Sequence, residues 1–170
     1  MDVGATKMAM EQIQKYLGRE VLVEYATSDP EAATDPGPWL TIGAMRGKEW
    51  GAEWQTTDAT TDDSPNLTQE NLVTYKTSDI SFDGLATKDT TKNVDALEEY
   101  VNAPAENGSP TGYPNIWLRI TVPRGDNQLR TYTGTALLTS FRNNAPHDDV
   151  ASWTLEGNSF AYTIDTATAS

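Results

Sequence analysis

Between Pro114 and Ile164 apolar and polar residues alternate with a period of two. In the run from Asn115 to Val122, Ile116, Leu118, Ile120 and Val122 fall on one face, and Trp117, Arg119 and Thr121 on the other. This is the pattern of a strand with one face on a core. Both arms of the run that follows are rich in β-branched and aromatic residues, which suit a pleated, half-buried surface. A polar turn, Arg124-Gly125-Asp126-Asn127-Gln128, leads into a second extended run, Leu129 to Leu138, so the pair predicts a hairpin. Pro123 cannot donate to a ladder and marks a strand end or an edge. Two shorter strands are predicted at Ala151 to Leu155 and Ser159 to Ile164, joined through Glu156-Gly157-Asn158.

Upstream the pattern changes several times. Met10, Ile13 and Leu17 recur at helical spacing, with Tyr16 beside them, and predict a helix over residues 6–17 that Gly18 ends. Such a helix docks either on its own domain or on a neighbouring subunit. Strands are predicted at Glu20 to Ala26 and Trp39 to Met45, separated by a loop rich in acids and prolines from Ser28 to Pro38. Residues 49–75 carry Glu49, Glu53, Asp58, Asp62, Asp63 and Glu70 without a Lys or Arg before Lys76. Residues 49–75 are therefore expected to form a long acidic loop between strands, and its centre, Thr56 to Gln69, has so little to bury that it is expected to be mobile. Strand character resumes at Leu72 to Tyr75 and Asp79 to Gly84. Val94, Leu97 and Val101 then mark one face of a helix from Asn93 to Val101, widened by Tyr100. Thr91 or Asn93 is its expected cap, Asp95 suits its N-terminal dipole and Pro104 ends it. Several strands, one helix and more strands make a mainly β fold: a β-sandwich or open barrel flanked by one α-helix. The domain is expected over residues 19–165, with an N-terminal arm at 1–18 and a short tail at 166–170.

Composition narrows the function classes. The chain has 170 residues, enough for one domain with a sizeable core, and five tryptophans to fill it. Its formal net charge is −13, which is unsuited to gripping a phosphate backbone. It has no cysteine, so disulfides, thiolate metal sites and a Cys nucleophile are excluded, in agreement with a reducing compartment. No apolar run approaches the length of a membrane span, and no basic start followed by an apolar block predicts a signal peptide.

Candidate chemistry is sparse. His147 is the single histidine, beside Asp148 and downstream of Ser140. No nucleophile elbow accompanies it, and a polar turn accounts for it better than a triad. Asp62-Asp63 and Asp148-Asp149 lack the alternating oxygen ligands of a calcium loop. No phosphate-binding glycine loop or zinc spacing is present, so no cofactor and no metal are expected. Arg124-Gly125-Asp126 spells an adhesion tripeptide, but Gly and Asp are also what a hairpin turn uses. Asn66-Leu67-Thr68 and Asn107-Gly108-Ser109 match the glycosylation sequon, which has little meaning without secretion. Trp50 and Trp54 flank Gly51 and belong either to the core or to an exposed binding surface.

The order of these pieces resembles the tail tube (major tail) proteins of long-tailed, non-contractile bacteriophages. The likeness spans roughly residues 19–165. Its pieces are the strand Glu20 to Ala26, the loop Ser28 to Pro38 and the Trp-led strand Trp39 to Met45. The acidic loop, the run Ser78 to Gly84 and the helix ending Ala96-Leu97-Glu98-Glu99-Tyr100-Val101 follow. The hairpin Trp117 to Leu138, the segment Thr139-Ser140-Phe141 and the closing run Asp149 to Gly157 complete it. The resemblance implies a structural virion protein without enzymatic activity. It implies hexameric rings of one subunit, stacked head to tail into a tube through which double-stranded DNA passes without sticking. Tape measure, tail terminator and tail tip proteins are the further partners, with no membrane involved. The chain would reside in host cytoplasm before assembly and in the phage tail afterwards. On this reading Trp50, Trp54, Asp58, Asp62, Asp63 and Leu67 make contacts between rings. Asp79, Asp83, Glu156 and Asp165 are candidates for the lumen wall, and Met10, Ile13 and Leu17 for contacts between subunits. A carbohydrate-binding β-sandwich presenting Trp50, Trp54 or Trp117, and another virion β-protein such as a tail terminator or capsid decoration subunit, are the alternatives.

Overall fold

The computed structural model describes residues 15–31 and 36–169. It contains strands β1 (Leu22–Ala26), β2 (Leu40–Thr41), β3 (Met45–Asp58) and β4 (Asn71–Leu85), then helix α1 (Val94–Asn102). Strands β5 (Asn115–Arg124), β6 (Gln128–Asn144) and β7 (Ser152–Thr168) follow. All are antiparallel neighbours in a single sheet of order β2-β1-β5-β6-β7-β4-β3.

The sheet cannot be flat. Laid out flat, its two outermost strands, β2 and β3, would stand about 29 Å apart at the usual strand spacing. Only Ile42, Gly43 and Ala44 join them in the chain, a reach of roughly 14 Å. The sheet therefore curls until its edges approach. The junction is held by Ile42 N–H donating to Val23 O, Gly43 N–H to Lys92 O and Leu85 N–H to Ala44 O, each at 3.0 Å. Ala44 takes a left-handed conformation, φ 58°, to make the corner.

The curl encloses the core. Ile116, Leu118, Ile120 and Val122 of β5 are all fully buried, as the alternation predicts. They meet Val23 and Tyr25 of β1, Ala136 and Leu138 of β6, Trp153, Leu155 and Phe160 of β7, and Ile80 and Phe82 of β4. Helix α1 closes one side with Val94, Leu97 and Tyr100. The Asn93 side chain does not cap the helix; its amide donates instead to Thr41 O at 2.8 Å. At the other end Asn107 Nδ2 donates to Glu99 O and Ala103 O, adding a side-chain donor to carbonyls that already accept from the Ala103 and Asn107 amides. Tyr100 Oη donates to Asn115 O, and burial pushes the phenols of Tyr25 and Tyr100 above their ordinary range.

Three expectations are corrected. The Trp-led strand from Trp39 to Met45 is broken at the corner, because its residues serve opposite edges of the sheet. The runs on either side of Glu156-Gly157-Asn158 are one strand: backbone irregularities absorb the change of direction, with Ser159 at φ 54° and the β6–β7 register shifting between Thr135 and Ser140. Residues 49–75 are not a loop; all but 59–70 belong to β3 and β4. The helix expected at 6–17 lies mostly outside the described residues, and Lys15 to Leu17, which are described, are not helical.

Gly134 tests the packing. A Cβ there would overlap the Ala161 carbonyl, whereas one on Gly51 would meet nothing within 4 Å. Gly134→Val is expected to destabilise by about 3 kcal/mol, lowering Tm by about 6–12 °C. Gly51→Val is expected to stay within about 0.5 kcal/mol. Equal melting temperatures, by circular dichroism, would remove the close-approach argument.

Candidate functional site

Beyond the core, β3 and β4 continue as a two-stranded arm. The β4–β7 pairing ends at Ile80 and Gly157, but the β3–β4 ladder runs on to Asp58 and Asn71. At about 3.3 Å per residue, the segment 51–58 projects roughly 26 Å. A bulge at Thr74 interrupts it, and Thr74 Oγ1 donates to Gln55 O at 3.0 Å. The arm carries large apolar side chains in water: Trp54 is 61% exposed, Leu72 61%, Val73 55% and Tyr75 60%. Lys76 lies over the Trp54 ring at 5.7 Å. Trp50, at the root of the arm, turns inward and meets Tyr132 edge-on at 5.4 Å.

The tip is a hydrogen-bonded turn. Ala59 N–H donates to Glu70 O, Glu70 N–H to Thr60 Oγ1, and Ser64 Oγ to the Glu70 carboxylate. The Thr60 hydroxyl and amide both donate to Asp58, holding that carboxyl below its ordinary range. Asp62 and Asp63 are exposed here, and Leu67 lies in the 3-10 turn Pro65–Leu67.

A second surface is acidic. Register pairs Glu49 with Ser81 and Ser81 with Glu156, Gly51 with Asp79, and Gly47 with Asp83. Paired residues share a sheet face, so Asp79, Asp83 and Glu156 stand together on the outer face, and alternation brings Glu49 and Glu53 to it as well. A shallow groove of about 290 Å³ runs between Glu49, Glu53, Thr77 and Asp79. Arg46 meets Asp83 at 3.2 Å at the margin. Asp165, opposite Thr131 on the far half of β7, stands apart among Thr131, Thr133 and Thr163. The sequence reading missed Glu49 and Glu53 as members of this face. Their spacing of four in a strand was the available signal, hidden by the expectation of a loop.

The third surface is the entry of the chain. Leu17 is exposed, and Met10 and Ile13 lie outside the described residues. Arg124 lies 5.5 Å from the Tyr16 ring.

The remaining candidates take their simpler readings. His147 and Asp148 are 98% and 94% exposed, and no hydrogen bond joins His147 to Ser140 among the described residues. Arg124-Gly125-Asp126 forms the β5–β6 turn, with Asp126 and Asn127 left-handed. Trp117 Nε1 donates to Asp29 O at 2.9 Å, so it presents no open ring edge there. No group of three or more metal-ligating His, Asp or Glu side chains, and no helix long and apolar enough to cross a membrane, occurs among the described residues.

A single folded sheet with open edges, an apolar arm and an acidic face suits a self-assembling subunit. The sequence model of the phage tail tube protein family matches residues 18–161. The chain belongs to that family. It is a structural protein of the phage tail rather than an enzyme. No curated protein matches this tail tube protein. Among solved structures, it is similar to a chain in the tail of an empty gene transfer agent particle refined with C6 symmetry. That match has 19% identity and a TM-score of 0.60, covering 91% of this chain and 100% of the other. It is similar also to the SPP1 tail tube, at 9% identity and a TM-score of 0.63, covering 91% and 81%. A chain of the anti-feeding prophage baseplate matches at 10% identity and a TM-score of 0.51, covering 91% and 97%. At these identities the likeness concerns the fold.

The arm residues contribute little to the fold of the isolated tail tube protein. Leu72→Ser combined with Tyr75→Ser is expected to lower Tm by no more than about 4 °C. Phe82→Ala, which empties the core, is expected to cost about 3–5 kcal/mol. A large thermal shift in the arm variant would show that the arm is packed in the free subunit.

Proposed function

We propose that this tail tube protein closes into hexameric rings that stack head to tail, with the β3/β4 arm reaching the adjacent ring. The observation that carries the proposal is the arm itself: a ribbon without a core of its own, with Trp54, Leu72, Val73 and Tyr75 in water. An isolated two-stranded ribbon is marginal, and exposed apolar groups of this size mark interaction sites. The C6 symmetry of the similar gene transfer agent tail supports the ring number. Beyond Ile80 and Gly157, β4 and β7 leave each other's edges unpaired. Pairing across subunits satisfies such edges and blocks wrong ones.

Trp54, Asp58, Asp62, Asp63 and Leu67 are then the ring-to-ring contacts, with Trp50 bracing the arm from inside. The outer face bearing Asp79, Asp83 and Glu156, joined by Glu49 and Glu53, lines the lumen, with Asp165 the weakest of the original four. Carboxylates repel the phosphate backbone and leave passing DNA no counterion-releasing grip. Residues 19–165 act as the assembling domain, and the N-terminal segment with Met10, Ile13 and Leu17 contacts a neighbouring subunit. Tape measure, terminator and tip proteins complete the partner set.

Deleting Thr57 to Gln69 is expected to leave a folded subunit that forms no tubes in electron microscopy; tubes of full length would refute the role of the arm. Hydrogen exchange over residues 51–79 is expected to slow on assembly, and unchanged exchange in the tube would count against docking. Asp79→Lys with Glu156→Lys is expected to slow DNA exit from assembled virions and to make that rate salt-dependent. A normal, salt-independent rate would remove this face from the lumen.

A further inference from the structure

We propose that Lys48 is a clamp that locks the entry of the chain to the root of the β3/β4 arm. Lys48 lies on the inward face of β3, opposite the fully buried Phe82. Its ammonium donates to Gly18 O at 2.8 Å and Val21 O at 2.6 Å. No carboxylate lies within ion-pair distance of it among the described residues. Both acceptors belong to the segment just before β1, whose 3-10 turn Gly18–Glu20 has only local backbone bonds of its own. Glu20 folds back to accept from the Leu17 amide, which orients the residues preceding the clamp.

Partial burial lowers the lysine's pKa but leaves two charge-assisted hydrogen bonds as its compensation. A hydrophobic side chain at this position would pack as well and tie nothing. The lysine therefore ties the segment from Gly18 to Val21 to the root of the arm. Given the ring-and-arm reading above, the clamp braces the root of the arm that reaches the adjacent ring. The clamp itself is a property of the single subunit and stands or falls without that reading.

Trypsin reads the clamp directly, because cleavage after Arg19 requires this turn to open, and cleavage tracks the open population. In Lys48→Met the fragment beginning at Glu20 is expected to appear about tenfold faster, since hydrogen bonds to a charged group are lost. An unchanged rate in a folded variant would overturn the proposal. If Lys48→Met does not fold, wild-type protein decides. Under limiting acetylating reagent, Lys48 is expected to react at least about tenfold more slowly than exposed Lys88, a protection of the size those two bonds supply. Equal reactivity would overturn the clamp. Tube formation enters neither measurement, so a tail tube that assembles in some other way would leave both results interpretable.

Discussion

A three-residue link between opposite edges of a seven-stranded sheet is the constraint from which the structure follows. The short corner Ile42-Gly43-Ala44 forces the sheet to fold over. Folding over is what lets Phe82 and Leu155 meet Leu118 and Val23 from the other side, without a second sheet. Helix α1 then has one open flank to cover, and its stripe Val94, Leu97 and Tyr100 is no wider than that task needs. The hydrophobic effect supplies the driving force, and the corner determines the shape it produces.

The same strands serve two purposes along their length. The lower part of β3 and β4 is core: Ile80 and Phe82 are buried and Trp50 packs on Tyr132. The upper part is surface, where Trp54 and Tyr75 have no partner ring among the described residues. The change occurs where β4 parts from β7. Because the arm is already a ladder, the backbone entropy of forming it is spent in folding rather than in assembly. A floppy loop would have had to order on docking. A preformed ribbon loses less freedom when it binds.

Much of this was legible in the alternation. β5 and the first half of β6 match their predicted bounds closely, and α1 is displaced by a single residue. Regular periodicity survives in the sequence because a half-buried strand leaves no choice about which positions are apolar. The arm was not legible, since a ribbon that buries neither face has no reason to alternate apolar with polar. Its threonines and acids looked like disorder. The corner at Ala44 and the bulge at Ser159 were hidden for a different reason: neither residue is a glycine, and both adopt left-handed backbone. The acidic site was half legible. Asp79, Asp83 and Glu156 share one sheet face, while Asp165 is separated from them by the turn of β7, and sequence position alone reveals neither. Leu17 could be placed, but its helical partners could not.

Strand β7 belongs to both halves of the folded sheet. Its first half pairs with β4 and the end of β6, and its second half with the beginning of β6 alone. The two layers are thus joined by unbroken peptide backbone as well as by side-chain contact. Tension pulling them apart would be borne along covalent bonds through Asn158 and Ser159 rather than by side-chain packing alone.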